Sequence, residues 1–386
     1  MSSHSVIIAR SMGIPCIIGI AGLFKSLIHG ETVMINGNTG EIVVSPNDEQ
    51  AAIYKAYRVK SDEEKKELER FKYCNSRTMD GFEIKIYANI TTSREAEALL
   101  ENGSEGVGLF RTEFLYMSGS APPSEDLQYK VYSDIARSLG GRPLIIRTLD
   151  AGGDKNIPYL GIAAEENPNL GFRAIRFCLD NPTLFKTQIS AILRAGMYGN
   201  VQMMLPMIAS AVELRRAKQL ISETSGELKA KGIPHCENIR LGIMLETPAA
   251  AVMADRLAGE VDFFSIGTND LTQYLFAADR MNPKVAYLNS YFHPALLRTV
   301  NHICKCAAEK GIEVDICGQA GEIPALVPIW AAMGVSNLSV SIPSIPKVRK
   351  LICKTVKADA VKLMEKLLAF DTAEEVEDYL LTKSGL

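Results

Sequence analysis

From Phe82 onward the sequence repeats one unit: a short apolar run, then a longer stretch with amphipathic helical spacing. The apolar runs are Glu83–Ile90, Gly106–Arg111, Pro143–Leu149, Val201–Met207, Leu241–Glu246, Val261–Ile266, Ile312–Cys317 and Asn337–Ser341. Strands that alternate with helices have to be joined by crossovers, so they pair in parallel, and both faces of the sheet are covered. Eight such units over this length predict a (β/α)8 barrel of the TIM type spanning residues 76–355, with a doubly wound open sheet as the alternative. The interval between Leu149 and Val201 is long enough for an extended loop and more than one helix.

A barrel of this kind carries its chemistry at the C-terminal ends of its strands. Those ends supply Asn89, Arg111, Arg147, Glu246, Asn269, Asp270 and Cys317, and Asp154, Lys155, Arg173 and Arg280 lie in the segments that follow. Glu246 and Asp270 close two successive apolar runs; the second breaks at Gly267, and a helix is expected from about Asp270. Taken singly, either acid would serve as a helix cap. Together, beside Asn269 and Arg280, they suit a hard divalent cation, because Mg²⁺ takes one or two protein carboxylates and fills its other positions with water and phosphate oxygens. Arginine forks match phosphate and carboxylate oxygens, and several of them around a metal site stabilise charge on a transferring phosphoryl group. Each arginine could instead pair a structural acid at the rim, but Arg111 and Arg147 directly end strands that point into the mouth. Cys317 is either a small core residue or an acid placed above an anion site.

Composition narrows the remaining classes. The 386 residues are 47% hydrophobic and 23% charged with a formal net charge of −3, which argues against a general nucleic-acid or membrane-surface role. No apolar run reaches the length of a membrane span; the stretch from Val6 to Gly22 is interrupted by Arg10, Gly13 and Pro15. Eight cysteines form no C-x-x-C pair, and reduced thiols in a cytoplasmic protein are the expectation.

Ahead of the barrel, Ser2 or Ser3 can cap a short helix ending at Gly13, with His4 in its first turn. A positive helix end keeps such an imidazole neutral and gathers anions, so His4 can accept a phosphoryl group; the alternative is a frayed terminal histidine. Strands are expected at Ile17–Ile20, Thr32–Gly37 and Gly40–Val44, with a hairpin at Asn36-Gly37-Asn38. Residues 1–45 are too few for an α/β domain with its own core and resemble the tail of one. Residues 46–75 predict a linker helix, with Asp62 and Lys66 on its solvated face, and residues 356–386 predict C-terminal helices, the last opened by a capping box at Thr372-Ala373-Glu374-Glu375.

Several of these stretches together resemble enzyme I of the PEP-dependent sugar phosphotransferase system. Gly106-Val107-Gly108-Leu109-Phe110-Arg111-Thr112-Glu113-Phe114-Leu115-Tyr116-Met117 is similar to its PEP-binding signature. Arg147-Thr148-Leu149-Asp150-Ala151-Gly152-Gly153-Asp154-Lys155 and Asn167-Pro168-Asn169-Leu170-Gly171-Phe172-Arg173 resemble the blocks that follow it. Met244-Leu245-Glu246-Thr247-Pro248 and Ser265-Ile266-Gly267-Thr268-Asn269-Asp270-Leu271-Thr272-Gln273-Tyr274 are similar to its metal motifs, and Ser3-His4-Ser5-Val6-Ile7-Ile8-Ala9-Arg10 to its phosphohistidine motif. The match runs from about Ser2 to Lys350. PEP synthase and pyruvate phosphate dikinase share the barrel but differ around the Arg-Thr-Glu-Phe block.

The resemblance implies a Mg²⁺-dependent transfer of the phosphoryl group of phosphoenolpyruvate (PEP) to a protein histidine with release of pyruvate. It implies that Arg111, Arg147 and Arg280 hold the PEP phosphate with Arg173 and Lys155 near, that Asn269 contacts phosphate or carboxylate, and that Glu246 and Asp270 bind Mg²⁺. His4 would attack phosphorus and Cys317 would protonate the enolate; the barrel would form a homodimer. Two departures bear on this. The family carries a longer N-terminal part that includes the domain docking the carrier protein HPr, and this chain begins almost at the histidine. Gln319 stands where the family's Cys-Gly-Glu motif has an acid. The rival expectations are a non-catalytic or split-gene PEP-binding protein that needs a partner chain, and a barrel lyase acting on pyruvate.

Overall fold

The computed structural model describes residues 14–20, 22–23, 27–37, 39–152 and 157–384. The chain divides into two units, Met1–Cys74 and Asn75–Leu386. In the first unit, β1 (Val33–Asn36) pairs antiparallel with β2 (Glu41–Val44). Asn36 is opposite Glu41, and the Gly40 N–H donates to the Asn36 carbonyl at 2.9 Å, so the hairpin expected at this corner is present, with residues 37–40 connecting its strands. Ile17–Ile20 does not form the expected strand. Gly19 has φ +80°, a left-handed conformation that interrupts extended pairing. The helix Asp48–Glu69 follows, and its start is a capping box: Asn47 accepts from the Gln50 N–H at 2.8 Å while the Gln50 side chain accepts from the Asn47 N–H at 3.0 Å.

In the second unit, eight strands fall where the apolar runs lie: β3 (Lys85–Ile90), β4 (Val107–Arg111), β5 (Leu144–Arg147), β6 (Val201–Leu205), β7 (Arg240–Leu245), β8 (Phe263–Ile266), β9 (Glu313–Ile316) and β10 (Asn337–Val340). All pair in parallel in the order β10-β3-β4-β5-β6-β7-β8-β9, and β9 pairs back to β10. The sheet is therefore a closed (β/α)8 barrel, and the open-sheet alternative is excluded.

The two-residue period of a strand explains which side chains reach the interior. Leu109, Ile145, Met204, Met244, Phe263 and Cys317 form one small cluster, inside the barrel. Their neighbours along the strands, such as Phe110, Ile146, Met203, Ile243 and Phe264, belong to the larger core under the helices. Gly242 stands where a Cβ would collide with the Phe263 ring, so that ring fills the interior. Two residues beyond the inward positions on β4, β5 and β7 lie Arg111, Arg147 and Glu246, which places all three at the C-terminal mouth.

The long segment after β5 holds a 3-10 turn (Pro158–Leu160) and two helices, Ile175–Asp180 and Pro182–Ala195. The helix after β8 starts at Thr268 and not at Asp270, because Gly267 itself takes the cap position directly after the strand; Asp270 thus lies in its first turn. Helices Lys357–Leu367 and Ala373–Ser384 complete the chain, and the expected box is present: Thr372 Oγ1 accepts the Glu375 N–H at 3.2 Å and Glu375 accepts the Thr372 N–H at 3.0 Å.

Candidate active site

Parallel registry brings Arg111 directly beside Arg147. Arg147 is buried and pairs with Glu113 through its Nη2, which is also 3.2 Å from Asp150 Oδ2. Burial opposes its charge, yet Glu113, Asp150 and Glu246 outweigh that and raise its pKa above the usual arginine range. Its Nε is buried with no hydrogen-bond partner among the described residues, so one donor of the fork is left for a ligand. Arg111 is half-buried and makes no ion pair among the described residues. Burial, then the neighbouring Arg147 charge, lowers its pKa. A cation held without a counter-ion next to a second cation is a receptive position for an anion.

Arg173 comes from the long segment after β5. Its Nε and Nη2 donate to Asp150 Oδ1 at 3.2 and 2.8 Å, Nη2 reaches Asp270 Oδ2 at 3.4 Å, and Nη1 donates to the Tyr274 hydroxyl at 3.2 Å. Gly152, with φ +98°, makes the approach possible, since a Cβ there would lie 2.7 Å from the Arg173 Cβ. Arg280 Nη1 donates to Asp270 Oδ1 at 2.8 Å. Asp150 and Asp270 thus link arginines from three segments into one network.

Glu246 is buried, and its Oε1 accepts the Met207 N–H at 2.7 Å. Burial, then the charges of Asp270 and Asp150, raise its pKa to about 8 against the pull of Arg147 and Arg173. Gly267 lies beside it: a Cβ there would be 2.7 Å from Glu246 Oε2. Two carboxyl groups beyond the ends of neighbouring strands, one of them held back from ionising by burial and by its acidic neighbours, with a glycine leaving room at the free oxygen, form a donor set that fits a divalent cation, whose charge would favour the ionised form. Among the described residues no three His, Cys, Asp or Glu side chains group as metal ligands.

Asn269 Oδ1 accepts from the Tyr291 hydroxyl at 2.8 Å and from the Gln319 N–H at 3.0 Å. Cys317 is buried at the inner mouth, where its thiol points at the Ile266 carbonyl at 3.6 Å. Burial pushes its pKa up to about 11, so the thiol carries its proton at neutral pH.

The second unit therefore gathers Arg111, Arg147, Arg173, Glu246, Asn269, Asp270, Arg280 and Cys317 at one end of the barrel. Asn89, another strand end, serves closure instead: it donates to the Ser339 and Cys317 carbonyls at 3.0 and 3.3 Å. His4, Asp154 and Lys155 lie outside the described residues. Sequence reasoning assigned no role to Glu113, Asp150, Tyr274 or Tyr291. The first two had a signal: acids two and three residues after Arg111 and Arg147, where a buried arginine needs a counter-charge.

Among the described residues no helix is long and apolar enough to cross a membrane. The family description "PEP-utilising enzyme, PEP-binding domain" matches residues 65–356, and "PEP-utilising enzyme, mobile domain" matches residues 1–40. Curated proteins named phosphoenolpyruvate-protein phosphotransferase match nearly the whole chain. The one from Geobacillus stearothermophilus is 43% identical over 379 residues, 98% of this chain and 66% of its own. That from Listeria monocytogenes is 43% identical over 377 residues, 97% of this chain and 66% of its own. That from Staphylococcus carnosus is 40% identical over 377 residues, 98% of this chain and 66% of its own. The chain thus spans 66% of the length of these relatives. With most of its length matched by the PEP-binding description, the chain belongs to the PEP-utilising enzyme family.

Proposed function

We propose that this chain transfers the phosphoryl group of PEP to a protein histidine and releases pyruvate, in a Mg²⁺-dependent reaction that opens a sugar phosphotransferase system. The observation that carries this reading is the convergence of Arg111, Arg147, Arg173 and Arg280 with two carboxylates on one barrel mouth. PEP bears a phosphate and a carboxylate, and a site with one unpaired arginine, a second with a spare Nε, and two more tied to Asp270 suits a ligand with two anionic groups. Pyruvate alone would leave most of that charge unanswered, which weighs against the lyase reading.

The roles follow from chemistry and position. Arg111 and Arg147 bind the phosphate, and Arg280 and Arg173 orient it through Asp270. Asn269 donates an amide hydrogen to phosphate or carboxylate. Mg²⁺, held by Glu246 and Asp270, would neutralise charge on the oxygens of both groups. A ring nitrogen of His4 forms the N–P bond as the bridging P–O bond of PEP breaks, and the electron pair leaves on the enolate. Carbon 3 of the enolate takes the proton of Cys317 Sγ, which gives pyruvate, and solvent restores the thiol. A thiol that holds its proton at neutral pH is suited to that donor task. Lys155 is assigned to the phosphate on its sequence position. The same reading places the protein in the cytoplasm and pairs two copies through the barrel.

Incubation with ³²P-labelled PEP and Mg²⁺ tests it. Acid-labile label on the wild type, absent from His4→Ala, with pyruvate released in equal amount, is the expected result. PEP binding by calorimetry with no label on the wild type would replace this reading with a PEP-binding protein that needs a partner chain.

A further inference from the structure

The loop between helices Thr268–Leu275 and Pro294–Lys310 carries Tyr291 against the first turn of the former helix and against the segment after β9. Its hydroxyl lies 2.8 Å from Asn269 Oδ1 and 3.0 Å from Gln319 Oε1, and the Gln319 N–H donates to that same Asn269 oxygen at 3.0 Å. A backbone N–H can only donate, so the Asn269 atom that faces Gln319 has to be the oxygen. The amide nitrogen is thereby turned away from both partners, and it has no hydrogen-bond partner among the described residues. Gln319 follows Cys317 by two residues, so one hydroxyl joins the helix start that carries Asn269 to the segment that follows the thiol. Burial pushes the Tyr291 pKa up to about 12, which keeps that hydroxyl a donor.

We propose that Tyr291 is a positioning residue, whose hydroxyl clasps the helix start at Asn269 to the segment after Cys317 and turns the Asn269 amide hydrogens toward the anionic ligand. This rests on reading the barrel mouth as the PEP site. The neutral side chain of Gln319 is part of the device. Tyr291 has one hydroxyl hydrogen and two acceptors in reach. An amide at 319 can turn end for end and donate to the Tyr291 oxygen, which leaves the hydroxyl hydrogen to Asn269. A carboxylate at 319 can only accept, and being charged it would draw that hydrogen to itself.

Calorimetric titration with PEP in Mg²⁺ tests the proposal on the wild type, Tyr291→Phe, Asn269→Ala and the double variant. Loss of one hydrogen bond that orients a ligand contact weakens binding by about fivefold, so Tyr291→Phe is expected to shift PEP affinity by that factor with an unchanged melting temperature. The double variant is expected to bind no more weakly than Asn269→Ala alone, because Tyr291 acts through Asn269. Gln319→Glu should reproduce the loss seen in Tyr291→Phe. Amide exchange at the Gln319 N–H, measured without ligand, should accelerate in Tyr291→Phe. Wild-type affinity in Tyr291→Phe, or effects that multiply in full in the double variant, would overturn the positioning role while the PEP site stands. A wild type that does not bind PEP overturns the site reading and the ligand part of this inference together, and the exchange measurement then decides the clasp by itself.

Discussion

The Met207 N–H donates to Glu246 Oε1 at 2.7 Å, from a residue whose φ is +57°. A side chain other than glycine rarely holds that conformation, and when it does the surroundings hold it there. Here the left-handed turn after β6 aims a backbone donor at the carboxylate that ends β7, and Glu246 keeps only Oε2 for another partner.

Glu246→Gln separates the metal role from the structural one. The amide retains an oxygen for the Met207 N–H, and it removes a carboxyl whose ionisation is opposed by burial, Asp270 and Asp150. In metal-free buffer near neutral pH the variant should melt about where the wild type does, since a carboxyl that holds its proton and an amide are alike in charge and shape. Its affinity for PEP in Mg²⁺ should fall by roughly 100-fold, because the site loses one of two carboxylates for a hard cation. Paired melting and calorimetry measure both. Unchanged affinity would remove Glu246 from the metal site.

Arg111 and Arg147 are neighbours in register but not in what they support. Arg147 neutralises Glu113 and lies 3.2 Å from Asp150, whereas Arg111 makes no ion pair among the described residues. Arg147→Ala removes a buried cation that pairs with Glu113 and Asp150 and should cost about 3 kcal/mol of stability as well as PEP binding. Arg111→Ala should abolish PEP binding with stability held or raised, because it removes an uncompensated charge whose pKa burial already lowers. Urea unfolding of both variants beside a PEP titration reads the split. Equal destabilisation would mean that Arg111 has a structural partner in solution.

The barrel was legible because its signal is periodic. Apolar strands recur eight times, and the strand ends follow from the same count. The arginines and acids could be listed from those ends, but their pairing could not. Arg173 meets Asp270 across 97 positions, and nothing local to either residue encodes that contact. The helix start after β8 was misplaced by two residues, since Asp270 has the chemistry of a cap while Gly267, with no side chain to signal it, holds the position. Ile17–Ile20 had the composition of a strand, and composition says nothing of whether an edge is there to pair with. Tyr291 was invisible in sequence because its hydroxyl meets Asn269 and Gln319, 22 and 28 positions away.

Two glycines at the mouth make a graded pair. At Gly267 a Cβ would meet the end of the Glu246 side chain at 2.7 Å, and a carboxylate can swing away. At Gly318 it would collide with Thr268 Oγ1 and come within 2.8 Å of the Thr268 backbone nitrogen, which cannot move without its helix. Gly267→Ala should therefore lose about 1 kcal/mol of stability while Mg²⁺-dependent PEP binding weakens strongly, and Gly318→Ala should lose about 3 kcal/mol. Denaturant midpoints give the order, and a reversed order would mean that the β9 loop relaxes more freely than its contacts imply.

At the opposite end of the barrel, Asp315 is buried beside Asn337, whose side-chain N–H donates to it, and lines a cavity of about 80 Å³ with Tyr87 and Gln202. Burial raises its pKa from 3.8 to about 7; the Asn337 bond lowers it, Glu313 raises it, and Arg240 and Lys85 lower it. The folded carboxyl therefore keeps its proton up to about pH 7, while the unfolded one releases it near pH 4. The unfolded state binds fewer protons across that window, so this residue's contribution to stability is full below about pH 4, declines as pH rises to about 7, and is level above. Asp315→Asn has no proton to lose and keeps an oxygen for the Asn337 N–H. Relative to the wild type it should gain stability progressively between pH 4 and pH 7, reaching a few kcal/mol, on the order that such a shift allows. Unfolding by denaturant at pH 4.5, 6 and 8 measures the difference directly, and other titrating groups cancel between the two proteins. Parallel profiles would mean that the floor of the barrel admits enough water to hold Asp315 ionised.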